Sequence, residues 1–161
     1  MVSNLDCIFI TNDDGLCDGL ESLISHLHGF KIPLFVVVPS ENKSACSMSI
    51  SLREIMKLSR KKQIEAKLDK GFAPLIIYTL EGTPSDCSLF LEYAKNTDIL
   101  NNLNPIFAVS GVNHGANLSH DILHSGTVGG ARQSSMAGIP SVASSYCEHG
   151  SSDIGNSSRL T

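Results

Sequence analysis

A chain of 161 residues, 42% of them hydrophobic, is long enough for one domain with a buried core. Its formal net charge of −4 excludes a general nucleic-acid or anionic-membrane surface, which needs a basic field, but leaves room for a small anionic ligand at a local site. Five scattered cysteines without a C-x-x-C pair exclude a disulfide framework or zinc ribbon and read as free thiols of a reducing cytosol; no run approaches the roughly 18 apolar residues of a membrane span, and no export signal is seen.

The first element is Cys7–Thr11, a short apolar run that reads as a buried strand. "NDDG", Asn12 to Gly15, follows it. Gly19–His28 places Leu20, Leu23, Ile24 and Leu27 on one helical face, with Gly29 as a stop. Leu34–Pro39, "LFVVVP", is a second all-apolar strand, so the opening is a βαβ unit of a parallel sheet covered on both faces. Ser51–Lys70 is polar and basic (Arg53, Lys57, Arg60, Lys61, Lys62, Lys67, Lys70), and predicts a solvated insertion of irregular or antiparallel strands around 50–73. The alternation then resumes. Leu75–Leu80 is a strand, Pro84 opens a helix with Ser85 and Asp86 in its first turn, and Pro105–Gly111 is a further strand. A Gly- and Asn-rich loop leads to a helix over Thr127–Ala137 and a last apolar stretch at Ile139–Ser145. With no repeat and no linker, residues 1–161 read as one doubly wound, Rossmann-like α/β domain. The ending, "EHGSSDIGNSSRLT", has no periodicity; either it is loose or the chain lacks a C-terminal segment.

In an open parallel sheet, loops at the carboxyl ends of strands form the ligand crevice. Four such loops are polar and unusual here: "TNDDG", "PSENKSACS", "EGTPSD" and "SGVNHGAN". They gather Asp13, Asp14, Ser44, Thr83 and Asn113 at one edge. Adjacent carboxylates are tolerable there if a divalent cation neutralises them, and Mg²⁺ or Mn²⁺ favours such oxygen ligands. The plainer alternative is an Asx-turn or helix cap before Gly19. "HSGTVGGA" likewise reads in two ways, as an anion site at a helix start or as ordinary capping by Ser125 or Thr127. Other templates fail: no G-x-S-x-G, no G-x-G-x-x-G and no Walker lysine loop occurs, and His120 and His124 lack an H-E-x-x-H context for zinc.

Taken together, "TNDDG", "VVPSENKSACS", "EGTPSDC", "SGVNHGANL" and "HSGTVGGA" resemble the SurE family, the survival-protein nucleotidases, in order and over nearly the whole chain. The resemblance implies a Rossmann-like domain that hydrolyses nucleoside 5'- and 3'-monophosphates with one Mg²⁺ or Mn²⁺ per subunit. It assigns the metal to Asp13, Asp14, Ser44 and Asn113, and catalysis to Asp13, Asp14 and Asn117. Asn117, Ser125, Gly126 and Thr127 would hold phosphate or line the site, with Asn12, Ser47 and Thr83 supporting it. It also implies a homodimer or homotetramer where the family's C-terminal segment is present, with neither nucleic acid nor membrane as partner. The chain departs from the family's usual pattern at "LCDG" after the acids, at Ala45 and Cys46, and at His114, His120 and His124. Two other readings stand beside this one. A phosphatase of the haloacid-dehalogenase type would need D-x-D spacing, where this chain has adjacent acids; a non-enzymatic nucleotide-binding module is the second.

Overall fold

A computed structural model describes residues 4–147, so the tail at 148–161 lies outside the described residues. The chain forms, in order, β1 (Leu5–Thr11), α1 (Asp18–Gly29), β2 (Leu34–Pro39), β3 (Leu58–Arg60), α2 (Lys62–Leu68), β4 (Leu75–Leu80) and α3 (Pro84–Ala94). After a 3₁₀ turn come β5 (Leu103–His114), α4 (Asp121–His124), α5 (Gly126–Met136) and β6 (Ser141–Tyr146). The six strands lie in the order β3-β4-β2-β1-β5-β6, all parallel except β3, which runs antiparallel to β4. This is the α/β architecture the apolar strands predict.

Apolar patterning explains the layers. Every residue of β2 is buried, as expected of a strand paired on both sides and covered on both faces. On one face Leu20, Leu23 and Ile24 of α1 pack on Ile10, Val36, Val38 and Val109. On the other, Cys87 and Leu91 of α3 close over Phe9, Phe35 and Val37. β1 pairs with β2 on one side and β5 on the other, and the chain returns across the sheet between them. The β1/β5 boundary is therefore the topological switch point, where Thr11 lies opposite Ser110.

The basic insertion holds one feature that composition concealed. β3 is the expected antiparallel strand, but Lys62–Leu68 is helical where irregular chain or strand was expected. Its lysines stay in solvent while Leu68 is buried and Ile64 packs against the core beside it. Glu65 is buried too, and its carboxylate accepts hydrogen bonds from the Arg60 guanidinium at 3.0 Å and the Ile77 N–H at 2.8 Å. Two further differences concern length. β5 runs on to His114, which puts Asn113 within the strand, and a single helical turn, α4, interrupts the glycine-rich loop. Among the described residues no helix is long and apolar enough to cross a membrane.

α5 crosses the loop after β2 at very close range. A Cβ built on Gly129 would fall on the carbonyl oxygen of Ser47, a backbone atom that cannot rotate away. Gly129→Ala is expected to destabilise the fold by about 1–3 kcal/mol, the usual cost of overpacking. Thermal denaturation would show the loss, and an unchanged midpoint would mean that the loop shifts freely.

Candidate metal and phosphate site

The turn after β1 is set by Asn12, which is fully buried. Its Nδ2 donates to the Gly15 carbonyl at 2.7 Å and its Oδ1 accepts the Gly15 N–H at 3.0 Å. Gly15 has φ +72°, and a Cβ there would come within 2.9 Å of the Pro39 carbonyl, so only glycine closes this turn without strain. Asn12 thus supports the site by shaping the turn that presents two carboxylates in different directions.

Asp13 points inward and is 2% exposed. Its Oδ1 accepts the Thr127 hydroxyl at 2.6 Å and its Oδ2 accepts the Thr127 N–H at 3.0 Å. Burial pushes the Asp13 carboxyl above the ordinary carboxylate range; the Thr127 hydroxyl opposes this, and the charge of Asp14 adds to it. Asp14 is half-buried, accepting Asn42 Nδ2 at 2.9 Å on one oxygen and the His114 N–H at 3.3 Å on the other. None of the salt bridges among the described residues involves either acid. Two adjacent carboxylates, one of them buried, thus stand without a basic side chain in ion-pair contact among the described residues.

The other proposed ligands come from two further strand ends. Asn113 Nδ2 donates to the Gly115 carbonyl at 2.7 Å, which fixes the amide and turns its Oδ1 to within 3.4 Å of the Thr127 hydroxyl. Ser44 sits on the loop after β2, whose Lys43 N–H donates to the Asp13 carbonyl at 2.6 Å. Asp13, Ser44, Asn113, Asn117, His124 and Ser125 line one cleft of about 230 Å³. Asp14 lies beside it, lining a neighbouring recess that shares His114.

Among the described residues no three His, Cys, Asp or Glu side chains cluster as a metal centre, so a cation at the two acids would need neutral oxygens such as those of Ser44 and Asn113 beside them. Oxygen-only donors with excess negative charge fit a hard divalent cation such as Mg²⁺ or Mn²⁺ and fit a soft one poorly. Asn113→Ala is expected to weaken Mn²⁺ binding, while Asn113→Asp, by adding a negative ligand, shifts the preference among divalent ions; calorimetric titration of both with Mg²⁺ and Mn²⁺ checks this. Identical metal profiles would remove Asn113 from the set.

Thr127 differs from expectation. Its N–H and hydroxyl were to face a phosphate, but both are directed at Asp13, because a buried carboxylate takes the nearest donors. Ser125 is the N-cap of α5, its hydroxyl accepting the Val128 N–H at 3.1 Å, and Gly126 follows as the first helical residue. Asn117 is at the cleft, tied by Nδ2 to the Ser145 hydroxyl at 2.8 Å. Ser47 and Thr83 are not brought into the cleft lining. Ser47 fastens the loop to α4, donating its hydroxyl to the Leu123 carbonyl at 2.7 Å and its N–H to that of His124 at 2.8 Å. Thr83 caps α3 in a capping box with Asp86 and donates to the Ser49 carbonyl at 2.6 Å. Sequence reasoning missed Asn42, which holds Asp14; its only signal was a polar residue three positions beyond a buried strand.

The family described as Survival protein SurE matches residues 8–160. The 5'-nucleotidase SurE of Myxococcus xanthus is 33% identical over 154 residues, 95% of this chain and 52% of that protein. The 5'-nucleotidase SurE of Campylobacter jejuni is 38% identical over 138 residues, 84% of this chain and 48% of that protein. The crystal structure of the SurE protein from Aquifex aeolicus superposes with a TM-score of 0.76 at 30% identity, covering 96% of this chain and 56% of that one. The chain thus spans about half the length of the curated relatives it matches. A family match across most of the chain, the shared fold and the two-acid turn at the switch point agree: this chain belongs to the SurE family.

Proposed function

We propose that this chain is the catalytic part of a divalent-metal-dependent phosphomonoesterase that releases phosphate from nucleoside 5'- and 3'-monophosphates. The reading rests on one observation above the others. Asp13, Ser44, Asn113, Asn117 and Ser125, drawn from the loops or ends of three strands and the start of α5, line one cleft beside Asp14 at the switch point. The names of the relatives, 5'-nucleotidase SurE, support the substrate class.

Asp13, Asp14, Ser44 and Asn113 would hold Mg²⁺ or Mn²⁺. A bound divalent cation supplies positive charge against the phosphoryl oxygens and lowers the pKa of a reacting water. The chain's own residues do the rest. Thr127 holds the Asp13 carboxylate in one orientation through two donors, and Asn42 and the His114 N–H do the same for Asp14. Asn117 and Ser125 line the same cleft, and with Gly126 beside Ser125 at the start of α5 they would hold the phosphate where the helix dipole favours an anion. Assembly into a homodimer or homotetramer, and residence in the cytoplasm, belong to the same proposal.

The test is a panel of nucleoside 5'- and 3'-monophosphates assayed for inorganic phosphate with Mg²⁺, Mn²⁺ or EDTA. Phosphate is expected only with metal. Nucleotide binding without release would point instead to a binding module, and release insensitive to EDTA would overturn the metal role.

A further inference from the structure

The neighbouring recess on the far side of the Asp14–His114 contact has a volume of about 390 Å³, within the range of small-molecule sites. Its lining comes from the turn after β1 (Asp14, Cys17, Asp18), from Asn42, and from Val112 and Tyr146 of β5 and β6. His114 belongs to both clefts and stands between them. The proposed metal ligands, Asp13, Asp14, Ser44 and Asn113, include neither the Asp18 nor the His114 side chain.

The recess has a flat element and a one-sided polar character. His114 is exposed and Tyr146 buried, with ring centroids 5.1 Å apart and planes at 82°. The edge-to-face contact holds the imidazole upright at the boundary. The Asn42 amide is already committed, its Nδ2 to Asp14 and its Oδ1 to the Ser44 N–H at 2.9 Å. Both Asp14 oxygens already accept hydrogen bonds, from Asn42 and from the His114 N–H, so the Asp18 carboxylate, which only accepts when ionised, is the acid of the lining that a donor ligand would meet. A matching ligand brings a flat ring and paired hydroxyl donors, and must reach the phosphate cleft next door. A ribonucleoside has both features, and its phosphate ester supplies the link.

We propose that this recess holds the nucleoside half of the substrate, with the base stacked against the His114 imidazole and the ribose cis-diol donating to Asp18. The proposal rests on the nucleotidase reading for its phosphate position, but its own residues are tested without phosphate. Asp18 also sits in the first turn of α1, where a carboxylate favours the helix dipole. That role affects stability and gives no preference for a 2'-hydroxyl.

The experiment measures binding of adenosine and 2'-deoxyadenosine by calorimetry to wild type, His114→Ala, Asp18→Ala and Asp18→Asn, without metal. A parallel assay compares AMP with glycerol 2-phosphate in Mn²⁺. Adenosine is expected to bind wild type more tightly than 2'-deoxyadenosine. His114→Ala should weaken both about tenfold or more, the scale of a lost stacking partner. Both Asp18 variants should erase the ribose preference, and the ratio of kcat/KM for AMP over glycerol 2-phosphate should fall about tenfold in His114→Ala. No adenosine binding to wild type, or equal binding in all variants, overturns the proposal. If adenosine binds through His114 and Asp18 while wild type releases no phosphate in Mn²⁺, the nucleotidase reading fails and the nucleoside site stands.

Discussion

Asp14→Asn is expected to abolish metal-dependent phosphate release while the protein stays folded. Asp14 is half-buried and lies outside both apolar clusters, so the change removes a charge without opening a cavity. Asparagine keeps one oxygen for Asn42 Nδ2 or the His114 N–H, the two groups that now bind the carboxylate. A metal's electrostatic help to phosphoryl transfer is worth several kcal/mol, so a loss of about a thousandfold or more in kcat/KM is expected. Activity with a nucleoside monophosphate, calorimetry with Mn²⁺ and far-UV circular dichroism together decide it. Retained activity with unchanged metal affinity would defeat the metal role, and an unfolded variant would show that Asp14 serves the turn.

Thr127→Val should weaken Mn²⁺ binding about ten- to a hundredfold. Valine keeps the shape of a fully buried side chain and removes the hydroxyl that donates to Asp13 at 2.6 Å. A hydrogen bond to a charged group contributes about 1.5–3 kcal/mol, and here it favours the ionised form the metal needs. The pH dependence follows in sign. Asp13 holds its proton more tightly folded than unfolded, so apo-protein stability falls as pH rises from the ordinary value of 3.8 through the raised folded value. Metal binding runs the other way, weak where Asp13 is protonated and stronger above. The variant, with only the Thr127 N–H left, should move both limbs to higher pH. Mn²⁺ titrations across acid pH would show the displacement; an unmoved limb with a fall in stability alone would make Thr127 a packing residue.

Much of the fold was legible because local pattern and final environment agree. "LFVVVP" has no polar face, and β2 has no exposed one. The strand ends also told in outline which loops come together, since any polar loop leaving such a strand emerges at the carboxyl edge. What stayed hidden depends on partners distant in the chain. Helix α2 shows only Ile64 and Leu68 as apolar anchors among lysines, and its buried Glu65 makes sense only beside Arg60 and Ile77. Thr127 looked like a phosphate donor because "SGT" opens a helix; nothing in those three residues says that a buried carboxylate waits opposite. Thr83 stood in a suggestive loop, but its hydroxyl serves the α3 capping box and the Ser49 carbonyl. Such assignments need the tertiary neighbour.

The pairing of Asp13 with Thr127 spans 114 residues of chain. Loop closure over that distance is expected late, after strands and helices with nearer partners have formed. Before α5 docks, Asp13 has neither of its donors and Asn113 lacks the Thr127 hydroxyl beside it, so a metal ion meets no assembled ligand set. On the proposed metal role, the cation would therefore select the finished topology and take no part in nucleating it. Mn²⁺ should slow unfolding and leave the refolding rate unchanged, the kinetic mark of an interaction absent from the transition state.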